Sequence, residues 1–132
     1  MAKTKILIVD DNADTRLVLS ARLRSSNYDV ALAADTYQAV SVARTANPHL
    51  ILLDLGLPGG NGFIVLERLK AIVSLASTPV IIMSSEERQD VEVKAIEAGA
   101  EAFLQKPVDH TELLTTIRNV LGESADTSQK SL

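Results

Sequence analysis

Cysteine and tryptophan are absent from this 132-residue chain, and aromatic residues of any kind make up only 3% of it. Without cysteine there are no disulfides, no zinc–thiolate sites and no thiol catalysis. With so few aromatics, the 46% of apolar residues must build a core of aliphatic side chains and alanine, which lets helices pack closely on a sheet. A basic cluster is also missing. Thirteen Lys and Arg against 17 Asp and Glu leave a net charge of −4, which argues against sequence-nonspecific nucleic-acid binding or membrane-surface binding. No apolar run approaches the length of a membrane span. The leading stretch MAKTKILIVDD turns acidic too early for a secretory signal. A cytoplasmic protein that starts naturally at Met1 is the expectation.

What the chain does contain is alternation. Short apolar, β-branched runs stand at 5–10 (KILIVD), 28–33 (YDVALA), 49–54 (HLILLD), 79–84 (PVIIMS) and 102–106 (AFLQK). Between them lie longer segments with helical spacing. Ala39, Val42, Ala43 and Ala46 form one stripe; Val65, Leu66, Leu69, Ile72 and Val73 form another; Leu113, Ile117, Val120 and Leu121 mark the last. Segment 14–26 is apolar over a broader face, through Leu17, Val18, Ala21 and Leu23. Asn27, Asn47-Pro48, Gly99 and Gly122 supply helix stops, and Thr78-Pro79 opens the fourth strand. Five β-α units in a row predict a doubly wound parallel sheet, order 2-1-3-4-5, with five helices on its two faces. The run at 28–33 is the weakest and should lie at an edge. The domain is expected over 1–122, with 123–132 a polar tail or linker.

In such a sheet, ligands bind outside the carboxyl ends of the strands. The first strand ends in Asp10-Asp11, the third in Asp54, the fourth in Ser84-Ser85 and the fifth in Lys106-Pro107. Every tip is polar. Two like charges about 4 Å apart cost on the order of 4 kcal/mol at an effective dielectric near 20, so three carboxylates in one crevice call for a positive partner or a proton. Mg²⁺ suits an all-oxygen site, and Lys106 supplies a second cation. Acid, metal, lysine and hydroxyl together point to phosphoryl transfer, with a carboxylate attacking phosphorus. No GxxxxGK[ST] loop is present, and DDNAD after the first strand would repel a nucleotide phosphate. His49 and His110, before a strand and at a helix start, give no support to a histidine-based triad.

ILIVDDNADTR, LILLDLGLPGGNGF, PVIIMSS and EAGAEAFLQKPVD, in this order and spacing, resemble the receiver domain of two-component response regulators, from residue 5 to about 121. The resemblance implies a flavodoxin-like fold and Asp54 as acceptor of a phosphoryl group from a sensor histidine kinase or phosphotransfer protein. It implies Mg²⁺ held by Asp10, Asp11, Asp54 and the Gly56 carbonyl. Lys106 and Ser84 would contact the phosphoryl oxygens, and Phe103 would turn inward when Ser84 moves. The Lys106-Pro107 bond is expected to be cis. The switched surface would comprise the fourth helix, fifth strand and fifth helix, a face that could also serve a homodimer. Such a protein is not an enzyme on other substrates; it catalyses only its own phosphorylation and dephosphorylation. Direct nucleic-acid or membrane contact is not expected.

Blander readings stand beside these. Asp10-Asp11 or Ser84-Ser85 could simply cap helices, Lys106 could be a surface lysine, and Phe103 could be partial core. Asn61-Gly62 and Gly59-Gly60 read as turn and helix entry, with Asn61 as a cap. Leu57, Asn61 and Ser85 depart from the commonest family pattern; the extra hydroxyl of Ser85 would bear on the hydrolytic water. Gly56 should leave Asp54 open to solvent on one side, so Gly56→Arg is expected to change the dephosphorylation rate. Two other classes compete. One is an aspartyl-phosphate hydrolase of the haloacid dehalogenase type, which would need a D-x-D motif after the first strand. The other is a degenerate receiver acting as a constitutive interaction module, which the intact set Asp10, Asp11, Asp54, Ser84 and Lys106 disfavours.

Overall fold

The computed structural model describes residues 3–57 and 62–123. The expected turn at Pro58 to Asn61 and the tail from 124 onward lie outside them. Ten elements alternate: β1 Lys5–Val9, α1 Ala13–Ser25, β2 Asp29–Ala33, α2 Thr36–Ala46, β3 Leu50–Asp54, α3 Gly62–Ala71, β4 Val80–Ser84, α4 Arg88–Glu97, β5 Ala102–Gln105 and α5 His110–Leu121. The strands form one parallel sheet in the order β2-β1-β3-β4-β5. This is the expected topology, with the weak second strand at one edge.

Side-chain alternation along the strands divides the core in two. Leu7, Val9, Ile51, Leu53, Ile82 and Phe103 pack on the α2–α3–α4 side. Ile6, Ile8, Leu50, Leu52 and Met83 meet Leu19, Leu23, Leu113 and Ile117 of α1 and α5. Because β1, β3 and β4 are buried on both faces, they read as continuous apolar runs. Asn12, Asp35 and Asp109 cap α1, α2 and α5 by accepting the backbone N–H groups of Thr15, Gln38 and Glu112, each worth about 1 kcal/mol. Asn27 and Asn47 adopt left-handed conformations just past α1 and α2 (φ 72° and 49°), as the helix-stop reading requires.

Two expectations change. In α1 only Leu19, Ser20 and Leu23 are buried, while Leu17, Val18 and Ala21 face solvent. Successive helical residues turn by roughly 100°, so the stripe that meets the sheet through Leu19 and Leu23 carries Leu17 to the far side. The third helix also stops at Ala71, short of Val73, which is 94% exposed. Tight turns from Ile72 N–H to Leu69 and from Leu75 N–H to Ile72 end it and bury Leu75 instead.

Candidate functional site

β3 is apolar as far as Leu53, and Asp54 continues the side-chain phase of Leu50 and Leu52 toward the α1–α5 side. Asp10 follows β1 and Lys106 follows β5, so three strand ends deliver charge to one rim. The Lys106 ammonium lies 2.8 Å from Asp10 Oδ2 and 3.2 Å from Asp54 Oδ1. Asp10 is fully buried and Asp54 only 5% exposed. The β1–α1 turn is held from within: Asp10 Oδ1 accepts the Asn12 N–H at 2.9 Å, and its carbonyl accepts the Arg16 guanidinium at 2.7 Å. Asp54 Oδ1 also accepts the Gly56 N–H at 3.2 Å.

Burial pushes the Asp54 carboxyl above its ordinary range. The Gly56 N–H and the Lys106 charge pull it back, and neighbouring Asp10 pushes the same way as burial. Desolvation works to lower the Lys106 ammonium, but hydrogen bonds and attraction from Asp10 and Asp54 outweigh it and hold Lys106 above its usual value. Lysine is therefore firmly charged, and the phosphoacceptor candidate is a carboxylate raised in energy by its surroundings.

The exposed Asp11 completes an acidic group: one oxygen each from Asp10, Asp11 and Asp54 lie within 4.8 Å of one another. Three carboxylates against one ammonium leave about two negative charges when all are ionised, the complement of a divalent ion. The donors are hard oxygens, as Mg²⁺ prefers. The residues present fit the group.

Ser84 ends β4 and is buried. The preceding residue, Met83, is level with Asp54 across the ladder. Its hydroxyl oxygen accepts the Glu86 N–H at 3.0 Å, which leaves its proton available to another acceptor. This turn precedes α4, whose N-cap Glu87 makes no side-chain cap. The helix-cap reading of Asp10-Asp11 also gives way, since Asn12 is the cap. Phe103 is 3% exposed, fully part of the core despite its edge strand. Among the described residues, a Cβ at Gly56 would meet Asp54 Oδ1 at 3.8 Å, whereas Asp54 itself is 5% exposed rather than open to solvent. The Lys106-Pro107 bond is cis. His49 is structural: its Nδ1 accepts the Lys5 N–H.

The site roles of three residues are not evident from the sequence. Arg16 holds the Asp10 carbonyl. Gly62 passes so close behind Asp54 that a Cβ there would lie 2.7 Å from Leu55 Cα and 2.8 Å from the Asp54 carbonyl. Arg88 places its guanidinium 5.2 Å from the centre of the Phe103 ring and pairs with Glu92 at 2.9 Å and Glu112 at 3.4 Å, so it ties α4, β5 and α5 together. Only Gly62 left a trace in the sequence, a glycine at the first position of a helix.

A five-stranded 2-1-3-4-5 sheet with an acidic, lysine-bridged rim at the strand ends defines a class of signalling domain, and comparison with known proteins agrees. Residues 6–118 match the model of the response regulator receiver domain. The chain belongs to that family. It is 35% identical over 117 residues to Protein PilH of Pseudomonas aeruginosa, covering 89% of this chain and 97% of that one. It is 34% identical over 121 residues to the phosphate regulon transcriptional regulatory protein PhoB of the same organism, covering 92% of this chain and 53% of that one. The chain thus spans about half the length of several curated relatives it matches. Among solved structures, the receiver domain of a Pseudomonas aeruginosa sensor histidine kinase superposes with a TM-score of 0.83 at 30% identity, over 92% of this chain and all of that one. That domain was solved with a magnesium ion coordinated in its active site cleft. No helix among the described residues is long and apolar enough to cross a membrane.

Proposed function

We propose that this chain is a phosphorylation-controlled switch whose phosphoacceptor is Asp54. The observation that carries the reading is the buried Asp54 carboxylate 3.2 Å from Lys106, beside Asp10 and Asp11. An Asp54 oxygen attacks the phosphorus of a phosphohistidine on a sensor kinase or phosphotransfer protein. The new O–P bond forms as the N–P bond breaks, and the imidazole leaves with the bonding pair and takes up a proton. Asp10, Asp11 and Asp54, with the Gly56 carbonyl, would hold Mg²⁺, which supplies positive charge against the phosphoryl oxygens. Lys106 is already aimed at Asp54 and can follow the charge onto the phosphoryl group, while Ser84 offers its hydroxyl proton. The chain then acts on no substrate but its own phosphoryl group. Loss of that group to water is favoured by the lack of a side chain at Gly56.

The donor's approach is supported by an open apolar groove of about 480 Å³ between α1 and the segment after β5. Val18, Leu19, Pro107 and Val108 line it, and it reaches Lys106 and Ser85. The exposed Leu17 and Val18, which the sheet does not need, extend this apolar surface. Phosphorylation draws Ser84 inward and loosens its turn with Glu86, and the displacement passes to α4. There the Arg88 contacts to Phe103 and Glu112 must yield, which alters the α4–β5–α5 face. Val93 and Ile96, exposed on α4, give that face apolar contact area for an output partner or a second copy. A cytoplasmic location fits this chemistry.

Incubation with acetyl phosphate and Mg²⁺, followed by a phosphate-affinity gel, tests the reading. Wild type should shift; Asp54→Asn and metal-chelated samples should not. A shift that survives Asp54→Asn overturns the assignment.

A further inference from the structure

The groove between α2 and α3 is built differently from the rest of this surface. It has a volume of about 450 Å³ and is lined by Tyr37, Val40 and Arg44 of α2 and Arg68 of α3, with Thr36 at the helix start. The chain has four aromatic residues, two Tyr and two Phe. Tyr28 and Phe103 are buried, and Phe63 is partly buried under the Lys94 ammonium, 4.7 Å from its ring centre. Tyr37 alone stands in solvent, 81% exposed.

Two arginines border the same groove. Arg16 and Arg22 donate to backbone carbonyls, Lys70 does the same, and Arg88 and Lys106 have carboxylate partners. Arg44 and Arg68 have no ion-pair partner among the described residues. No Asp or Glu lines their groove, although the whole chain carries a net charge of −4. In the same wall the Thr36 hydroxyl oxygen is buried without a hydrogen-bond partner among the described residues. Two guanidiniums and a solvent-facing tyrosine thus converge from two helices on one concave strip.

Tyrosine and arginine are the residue types that dominate binding energy at protein interfaces, and guanidinium forks match carboxylates bidentately. A nucleotide fits less well. Phosphate sites on this architecture use free backbone N–H groups at helix starts or glycine loops, whereas Arg44 and Arg68 project from the last turns of their helices. The groove also shares no lining residue with the one beside Lys106.

We propose that the α2–α3 groove docks an acidic, partly apolar segment of a partner protein. Arg44 and Arg68 pair with its carboxylates, and Tyr37 with Val40 covers an apolar side chain. The site goes beyond the phosphoryl chemistry and does not depend on it.

A random peptide display library panned on the intact chain tests this, with enriched peptides synthesised and titrated by calorimetry. The expected result is enrichment of closely spaced Asp or Glu beside an apolar residue, with amide shifts in NMR spectra confined to α2 and α3. Arg44→Glu with Arg68→Glu should weaken binding on the order of tenfold or more. Raising salt from about 50 to about 300 mM should weaken wild-type binding as well. Tyr37→Ala should weaken binding while keeping its salt dependence. Because both arginines are exposed, the double variant should keep the wild-type melting temperature and its acetyl phosphate response. A library without acidic enrichment, binding unchanged in the double variant, or shifts at α1 or α4 instead would overturn the proposal. So would α2–α3 shifts produced by a panel of nucleotides and by none of the peptides.

Discussion

Two clusters of ion pairs, one at the strand-end rim and one on the outer face, use the same chemistry for opposite ends. Lys106 sits between Asp10 and Asp54 with side-chain exposures of 23%, 0% and 7%. Arg88 sits between Glu92 and Glu112 with exposures of 39%, 41% and 45%. The first cluster is removed from water, unbalanced in charge and positioned by three strands. The second has the same one cation against two carboxylates, but it is solvated and joins two helices over the edge strand. A buried unbalanced cluster is a poor source of stability, because desolvation consumes much of the attraction. It is a good acceptor of a new charged group, because its electrostatics are strong and its members cannot drift. The exposed cluster is cheap to rearrange, as an element that must move requires.

The largest expected effect comes from breaking the rim. Lys106→Met strands two buried carboxylates, and breaking a buried pair in this way costs on the order of 3–5 kcal/mol. Protonation of Asp54, already favoured by burial, relieves part of this. The variant should unfold at lower urea concentration and lose its response to acetyl phosphate. Asp54→Asn removes the carboxylate that burial disfavours, so it should leave stability equal or higher. If both variants were equally destabilised, the contrast between storage and stability would fail.

Next in size is the backbone behind the rim. Gly62→Ala forces a Cβ against main-chain atoms at 2.7 and 2.8 Å, and overpacking of this kind costs about 1–3 kcal/mol. Chemical shifts at Leu55 and Asp54 should change with it; an unperturbed spectrum would mean the close approach is not needed.

A third comparison pits burial against exposure for one polar group. The Tyr28 phenol is pushed from 10.0 up to about 12, first by burial and then by its hydrogen bond to Glu123 and the charge there. The folded state disfavours the tyrosinate. Tyr28 therefore contributes stability that is fully present below about pH 10 and is lost as pH rises toward about 12. Urea unfolding at neutral and strongly alkaline pH should show a smaller alkaline loss in Tyr28→Phe than in wild type. Equal losses would contradict the assignment.

The smallest stability effect belongs to the outer cluster. Arg88→Ala should cost no more than about 1 kcal/mol, as exposed pairs usually do. Its effect should instead appear as altered α4 and β5 amide shifts on phosphorylation. A large loss of stability with an unchanged switching response would invert the comparison.

The strand-end residues were legible because an apolar run that must be buried on both faces fixes where a strand ends. Asp10, Asp54, Ser84 and Lys106 are read off those ends directly. The helix stops were legible too, since Asn47 and Gly122 mark left-handed backbone locally. Arg16 and Arg88 were not, because their partners are backbone, ring and carboxylate groups that only tertiary packing brings near. The exposed Leu17 and Val18 misled for a related reason: composition shows how apolar a helix is, while the sheet decides which stripe is covered. Gly62 was read as a turn residue, and its closeness to Asp54 appears only once α3 is laid against β3.

The most direct test of the rim as a phosphoryl acceptor is to trap the product. After treatment with acetyl phosphate and Mg²⁺, borohydride reduction converts an aspartyl phosphate to homoserine, and peptide mass mapping locates it. Homoserine at position 54, absent when phosphodonor is omitted, is the predicted result. Homoserine at position 10 or 11, or none anywhere under conditions that phosphorylate the chain, would contradict the account.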